Sequence, residues 1–355
     1  MNDQNPLGLD GFAFAEFTSP DPTAMAATFE QLGFVPASRH PTRDIVRYKQ
    51  GRIDLLLNNE PTGQAAVFRA AHGPSACGMA FRVADPASAY ARALENGAKA
   101  VDMSRGALGE GSVAIEGIGG AYLYLVASGG GLFDAWEQIP GAAQAEAANS
   151  VGLDLLDHLT HNVRRGEMKT WSTFYDGIFG FEEQKYFDIK GQATGLFSQA
   201  MIAPDKAIRI PLNESQDEHS QIEEYLREYG GEGIQHLALS TEDIYETVEK
   251  LRARGVRLQD TNETYFEMID ARVPGHGEDV PRLRANRILI DGDVENDGIL
   301  LQIFTENLFG PIFFEIIQRK GNEGFGIGNF TALFESIELD QIRRGVIKVD
   351  TAEGA

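Results

Sequence analysis

Leu156-Asp-His-Leu-Thr-His-Asn-Val163 and His236-Leu-Ala-Leu-Ser-Thr-Glu-Asp243 decide how this chain is read, because each has a faint copy earlier in the sequence. Both are β-like runs that spell strands with a buried face. The first leads through a helix-like stretch to Gly180-Phe181, as the run from Leu9-Asp10 leads to Gly33-Phe34, an offset of 147 at both ends. The second matches Gly78-Met-Ala-Phe-Arg-Val-Ala-Asp85 at an offset of 158, and the helices that follow end at Gly255 and Gly97. Ser240 and Asp243 have capping-box spacing, Ile244, Val248 and Leu251 share a helical face, and Gly255 suits a left-handed C-terminal cap.

Working outward, residues 53–57, 121–126, 288–291 and 298–304 alternate as short strands. The unit is a strand, a helix and several strands, used about four times, two units to each half. This predicts an α+β fold of two domains built from repeated βαβββ modules with curved mixed sheets. The expected division is an N-terminal domain without metal over 1–145 and a catalytic domain over 146–355, with acidic, Ala-rich 141–150 as linker. Residues 331–345 predict a terminal helix with Leu333, Phe334 and Ile337 as its apolar stripe and Arg343 and Arg344 at its C-terminal end, placed as a lid.

Bulk properties narrow the function. The net charge of −22, from 31 basic and 53 acidic residues, argues against nucleic acid and anionic membrane as partners. The single cysteine, Cys77, excludes an internal disulfide and a Cys-based zinc site, and its apolar surroundings predict a buried, inert thiol. The N-terminus MNDQNPLGLDG lacks a signal-peptide pattern, and no run approaches the ~18 apolar residues of a membrane helix, so the cytoplasm is expected.

The halves differ where chemistry would sit. By the offsets above, Gly11 aligns with His158 and Gly78 with His236, so two strand starts carry histidine in one half and glycine in the other. Imidazole is a standard ligand for divalent transition metals. Glu315 lies inside the apolar run Phe313-Phe-Glu-Ile-Ile317, where a carboxylate is costly unless paired or bound to metal, and 122–126 of the first half has no acid. Two histidines and one carboxylate form the facial triad of iron(II) oxygenases. The ordinary alternative is a hydrogen-bonded core histidine and a Glu paired with Arg or Lys. His161, three residues from His158, points to the opposite strand face and reads as an outer partner or a structural residue. His40, His72, His219 and His276 sit in polar, turn-like stretches and are expected to be exposed.

At these residues the sequence resembles the bacterial 4-hydroxyphenylpyruvate dioxygenase family, of the vicinal-oxygen-chelate fold, over almost its whole length. The matching segments are Asp157-His-Leu-Thr-His-Asn-Val163, Tyr186-Phe-Asp-Ile-Lys-Gly191, Ile210-Pro-Leu-Asn-Glu214, Gly231-Glu-Gly-Ile-Gln-His236, Leu300-Leu-Gln-Ile-Phe304, Phe313-Phe-Glu-Ile-Ile-Gln-Arg319 and Gly324-Phe-Gly-Ile-Gly-Asn-Phe330. The resemblance implies one Fe(II) per subunit on His158, His236 and Glu315. It implies a substrate pocket of Ser198, Asn213, Gln221, Gln302, Phe304, Phe313, Phe325, Asn329 and Phe330, with Gln221, Gln302 and Asn213 taking part in catalysis. It further implies 4-hydroxyphenylpyruvate and O2 as substrates, and homogentisate and CO2 as products of decarboxylation, ring hydroxylation and side-chain migration. A cytoplasmic homo-oligomer is implied too, a tetramer in preference to a dimer. Hydroxymandelate synthase shares fold, ligands and substrate and is the nearest alternative; Pro211, Asn213 and Phe304 favour the dioxygenase. A non-catalytic binding protein on the same fold is the second.

Overall fold

A computed structural model describes residues 5–190, 195–329, 331 and 332. Among them, two eight-stranded sheets follow one another along the chain. The first holds β1 (Phe12–Thr18), β2 (Val35–Arg39), β3 (Ile45–Gln50), β4 (Ile53–Asn58), β5 (Ser75–Val83), β6 (Val113–Glu116), β7 (Tyr122–Ala127) and β8 (Glu137–Gln138). The second holds β9 (Leu153–Val163), β10 (Glu182–Lys190), β11 (Gly195–Ile202), β12 (Arg209–Ser215), β13 (Gly233–Thr241), β14 (Leu289–Asp293), β15 (Gly298–Phe304) and β16 (Phe313–Lys320). Their orders are β6-β7-β5-β1-β4-β3-β2-β8 and, read the same way, β14-β15-β16-β13-β9-β12-β11-β10. In each, an antiparallel central pair, β1/β5 or β9/β13, is flanked by parallel partners, β4 and β7 or β12 and β16.

The first half also carries α1 (Pro22–Gln31), α2 (Gln64–His72) and α3 (Pro86–Glu95), and α4 (Ala142–Asn149) runs between the sheets. The second half carries α5 (Met168–Phe179), α6 (Gln221–Tyr229), α7 (Ile244–Ala253), α8 (Glu263–Glu267), α9 (Ile269–Arg272) and α10 (Val280–Asn286). The repeated module is present as β1-α1-β2-β3-β4, as β9-α5-β10-β11-β12 and as β13-α7 with β14-β15-β16. The remaining one, β5-α3-β6-β7, is a strand short: the place of β14 holds only an isolated bridge between Ala100 and Ile115, and β8, which follows β7, pairs with β2 at the far edge.

Local chemistry sets the helix ends, with two departures from the sequence reading. The cap of α7 is Asp243, whose carboxylate accepts from Glu246 N, while Ser240 stays within β13. Ile244, Val248 and Leu251 are buried and Gly255 turns with φ +79°, as the pattern requires. Residues 142–149, expected as linker, form α4 with no buried side chain, because the run AAQAEAAN has high intrinsic helix propensity.

Strand alternation gives each sheet two faces. Ala15, Phe17, Leu55, Leu57, Met79, Phe81, Leu123 and Leu125 of the first sheet join Leu159, Leu237, Leu239, Phe314 and Ile316 of the second in one extended apolar core. The halves meet there through aromatic contacts, Phe81 with Phe179 at 5.3 Å and Phe17 with Phe314 at 6.2 Å between centroids. The opposite face of the first sheet carries a second apolar cluster that includes Phe14, Ala80, Ala114, Tyr124, Phe133 and Trp136. The equivalent face of the second sheet lines a cavity of about 360 Å³.

Candidate metal centre

Three neighbouring strands bring the triad together. Ala238 on β13 lies opposite His158 on β9 and opposite Glu315 on β16, so these residues form one row across the sheet. The small Ala238 lets the longer side chains on either side lean together over it. His236 enters from two residues along β13, on the same face. His158 Nε2 lies 3.2 Å from Glu315 Oε2 and His236 Nε2 lies 3.4 Å from the same oxygen. One ligand atom from each residue falls within 4.8 Å of the others, and all three residues are buried. Two donors about 2.1 Å from one ion at a right angle stand about 3 Å apart, so this donor set fits a divalent transition metal.

The other imidazole nitrogens are also held. Asp157 Oδ1 lies 2.8 Å from His158 Nδ1, and Gln235 Oε1 lies 2.9 Å from His236 Nδ1. Each accepts the Nδ1 proton and leaves Nε2 as the ligand atom. A residue directly before a strand histidine normally points to the other face. Here the register between β9 and β13 slips at both places, Leu156 and His158 facing consecutive residues of β13, and Ile234 and His236 consecutive residues of β9. Asp157 and Gln235 are therefore the extra residues of β-bulges, which turn their side chains toward the rings. Asp157 is locked by Arg319, whose Nε and Nη2 donate to its two oxygens at 2.8 Å each.

Electrostatics suit a site that exchanges a proton for a cation. Burial pushes the Glu315 carboxyl up, but the imidazoles of His158 and His236 override it and hold its pKa at about 2. Burial pulls His158 down, yet the Glu315 and Asp157 carboxylates outweigh it and raise its pKa. His236 is lowered, by burial first, with Glu315 offsetting part of the effect. A bound metal would compete with protons for all three groups.

The cavity above the triad is lined by Ser198, Asn213, Gln221, Gln302, Phe304, Phe313 and Phe325, each of which the family resemblance points to. Ser198 and Asn213 face each other across β11 and β12. Phe313 stacks on His236 at 4.8 Å, and Phe325 meets His158 edge-on at 5.3 Å. Gln221 opens α6 and is largely exposed. Asn329 does not line the cavity; it is buried behind it and donates to Gln302 Oε1 at 3.2 Å. Phe330 and 333–345 of the expected lid helix lie outside the described residues. Thr160, Phe187, Leu196, Pro211 and Gln235 line the cavity as well. The sequence signal for Asp157 and Gln235 was a polar residue directly before each histidine of the triad.

One reading of histidine is narrowed and one is corrected. His161 is fully buried on the opposite face, 2.7 Å from the Tyr175 hydroxyl and away from the triad, so it is structural. Among the four expected to be exposed only His219 is; His72 is half-buried, stacked on Tyr229 at 4.6 Å with Nδ1 2.7 Å from the Tyr229 carbonyl, and ties the halves together.

The repeat alignment is also corrected. His158 faces Ala238 as Phe14 faces Ala80, so the counterpart of His158 is Phe14 and not Gly11. The offset of the central strands is 158 − 14 = 144, against 147 at the helix ends, because three more residues separate strand and helix end in the second half. The pairing of Gly78 with His236 stands, and Tyr124 occupies the place of Glu315.

Comparison with known proteins points the same way. A family model described as hydroxyphenylpyruvate dioxygenase, N-terminal, matches residues 3–135, and one for the glyoxalase/bleomycin resistance protein/dioxygenase superfamily matches 155–269. The chain is 54% identical to a 4-hydroxyphenylpyruvate dioxygenase of Pseudomonas aeruginosa, covering 98% of each, and 50% identical to one of Legionella pneumophila, covering 98% of this chain and 99% of that one. It is equally similar, at 54% over 97% of this chain and 98% of the relative, to a Vibrio vulnificus protein named hemolysin VllY. Among solved structures, a mutant of 4-hydroxymandelate synthase from Streptomyces coelicolor superposes with a TM-score of 0.78 at 27% identity, over 94% of this chain and all of that one.

Proposed function

This chain belongs to the 4-hydroxyphenylpyruvate dioxygenase family, and we propose that it converts 4-hydroxyphenylpyruvate and O2 to homogentisate and CO2 at the cavity of the second sheet. The observation that carries this reading is the convergence of His158, His236 and Glu315 on one point at the floor of that cavity. We propose Fe(II), one per subunit, as the occupant, held by these three side chains. Bound iron(II) would supply the electrons that activate O2, a reaction the protein's own side chains cannot perform.

The rest follows from the chain's own residues. His158, His236 and Glu315 would hold the metal from the floor of the cavity, and the 2-oxo-carboxylate of the substrate and O2 would reach it from the open side. Phe304, Phe313 and Phe325 form an apolar clamp for an aromatic ring, and the amides and hydroxyl of Asn213, Gln221, Gln302 and Ser198 supply polar contacts. Asp157 and Gln235 keep both imidazoles in the Nε2-liganding tautomer. We propose residues 1–145 and 146–355 as the two domains and a cytoplasmic homotetramer as the assembly. Identity near 50% to dioxygenases over the full length supports the reading. Among the described residues, no helix is long and apolar enough to cross a membrane.

The test is anaerobic reconstitution with Fe(II), addition of 4-hydroxyphenylpyruvate, then air. Homogentisate and CO2 are expected in equal amounts. 4-Hydroxymandelate as the main product would move the chain to the synthase, and substrate binding without O2 uptake would make it a binding protein.

A further inference from the structure

The amide of Gln302 is oriented from behind by Asn329, whose own amide is held by Tyr265 and Arg272. Gln302 lies on β15 in the cavity wall and is almost fully buried. Behind it the buried Tyr265 hydroxyl accepts from the backbone N–H of Ile290 at 2.9 Å and lies 2.6 Å from Asn329 Oδ1. Arg272 Nη2 is 3.4 Å from the same Oδ1, and its guanidinium sits 5.1 Å from the centre of the Tyr265 ring. A guanidinium and a backbone N–H never accept. Arg272 can only donate, and the Tyr265 hydroxyl lies closer to Asn329 Oδ1, at 2.6 Å, than to its other acceptor, the Ile290 carbonyl, at 3.1 Å; Asn329 presents its carbonyl oxygen to this pair and its Nδ2 to Gln302. Nδ2 donates to Gln302 Oε1 at 3.2 Å. The Gln302 carbonyl is thereby occupied, and among the described residues its Nε2 has no acceptor. Gly326 closes over this amide with φ +69°, and a Cβ there would collide with Gln302 Oε1, so glycine suits the approach on both counts.

We propose that Tyr265, Arg272 and Asn329 are positioning residues that fix Gln302 as a hydrogen-bond donor into the cavity, so that the site selects a ligand with an oxygen acceptor facing Nε2. The inference rests on the function proposed above and adds the polarity of one wall of the site. A donor aimed at a substrate oxygen is worth keeping fixed, because an amide turned the other way opposes two acceptors in a dry pocket.

Asn329→Asp is the discriminating change. Its carboxylate still accepts from Tyr265 and Arg272, but its second oxygen also accepts, so Gln302 must turn its Nε2 away from the cavity and its carbonyl toward the ligand. Tyr265→Phe is the milder variant, which keeps the ring packing and removes the hydroxyl that orders Asn329. Each full-length variant is loaded with Fe(II) under nitrogen. Metal affinity and melting temperature are measured, then binding of 4-hydroxyphenylpyruvate by calorimetry, and finally KM and kcat in air. The expected result for Asn329→Asp is a Kd and KM raised at least about tenfold with metal affinity unchanged, and a smaller rise for Tyr265→Phe. Wild-type substrate affinity in a folded, metal-loaded Asn329→Asp would overturn the relay. So would a loss of metal affinity in Tyr265→Phe that accounts for its loss of substrate binding. Failure of the wild-type chain to bind the substrate would instead overturn the proposed function.

Discussion

The two sheets share a backbone plan and differ in what fills one face. Both central pairs carry the same two bulges, at Ala13 and Cys77 in the first sheet and at Asp157 and Gln235 in the second. Around them, Phe14, Glu16, Gly78 and Tyr124 stand where His158, Thr160, His236 and Glu315 stand. The bulges therefore belong to the fold, and the metal centre to the side chains placed on it. In the first sheet a ring replaces one ligand, the Tyr124 hydroxyl meets Glu16 at 2.8 Å, and Asn58 donates to Glu16 at 2.7 Å. A Cβ on Gly78 would lie 2.8 Å from Glu16 Oε2, so Glu16 takes the space a histidine would need. Phe133 and Trp136 close the rest of the face. One half buries a polar knot under an apolar plug; the other keeps the same hollow open.

The comparison is broken most severely at the triad. His158→Ala, His236→Ala and Glu315→Ala should each abolish retention of Fe(II) and reduce turnover to background with the fold intact. The counterpart changes Phe14→Leu and Tyr124→Phe should leave the metal-to-protein ratio at that of wild type. Metal analysis after gel filtration checks both, and loss of iron from either first-half variant would mean that the first sheet contributes to the centre.

The next effect is on stability. Trp136 and Phe133 plug the first sheet, with 7% exposure each, so Trp136→Ala or Phe133→Ala should cost about 3–5 kcal/mol in denaturant unfolding while iron still binds. Phe313→Ala, from the open cavity of the second sheet, should cost clearly less stability and weaken substrate binding instead. Equal costs at the two places would erase the distinction between plug and pocket.

Glu16 and Glu315 sharpen the comparison through pH. Both are buried, but Glu16 faces an amide and a phenol, which offset desolvation only in part, so its pKa rises above the ordinary 4.5, whereas the imidazoles drive Glu315 down to about 2. For a raised carboxyl, the stabilising contribution is complete below about pH 4.5 and is lost as pH climbs through the folded pKa. Glu16→Gln removes that dependence. The variant should gain on wild type as pH rises above 4.5, by at most about 1.4 kcal/mol per unit, until the folded pKa of Glu16 is passed. A difference that stays flat over this range would mean that Glu16 is ionised in the fold.

Much of this was legible in the sequence, for physical reasons that can be named. Alternating runs closed by Gly97 and Gly255 gave the modules, and an acid in the apolar run around Glu315 gave the third residue of the triad, because such costs leave marks on local composition. The bulges left none. An extra residue in one strand changes neither hydropathy nor period enough to be seen, so Asp157 and Gln235 went unread; Gly11 was paired with His158 for a different reason, the three additional residues between strand and helix end in the second half. The roles of Asn329 and Tyr265 were hidden for a related reason: their partners, Gln302 and Ile290, are 27 and 25 residues away in sequence. No local pattern reports a contact over that distance.

The smallest effect concerns the histidine that lies in the triad's own strand but outside it. By the same register, the counterpart of His161 is Phe17, which packs in the shared core against Phe29 and Phe314. His161 occupies that core position as an imidazole with Nε2 near the Tyr175 hydroxyl and, among the described residues, no hydrogen-bond partner for its Nδ1. Burial lowers its pKa to about 3, so it is neutral at ordinary pH. A lowered base contributes stability above its unfolded value of about 6.5 and loses it as pH falls toward 3, because the unfolded chain takes up the proton first. His161→Phe imports the first-half residue. It removes one unpaired nitrogen and leaves one hydroxyl unpaired, so the two costs nearly cancel and stability at pH 7.5 should move by no more than about 1–2 kcal/mol. Iron content should not change. Between pH 6.5 and 4 the variant should lose less stability than wild type, since its side chain cannot titrate. Denaturant midpoints across that range, with metal analysis at pH 7.5, make the measurement. Loss of iron would place His161 in the centre after all, and an unchanged acid slope would show that its imidazole is not held neutral by burial.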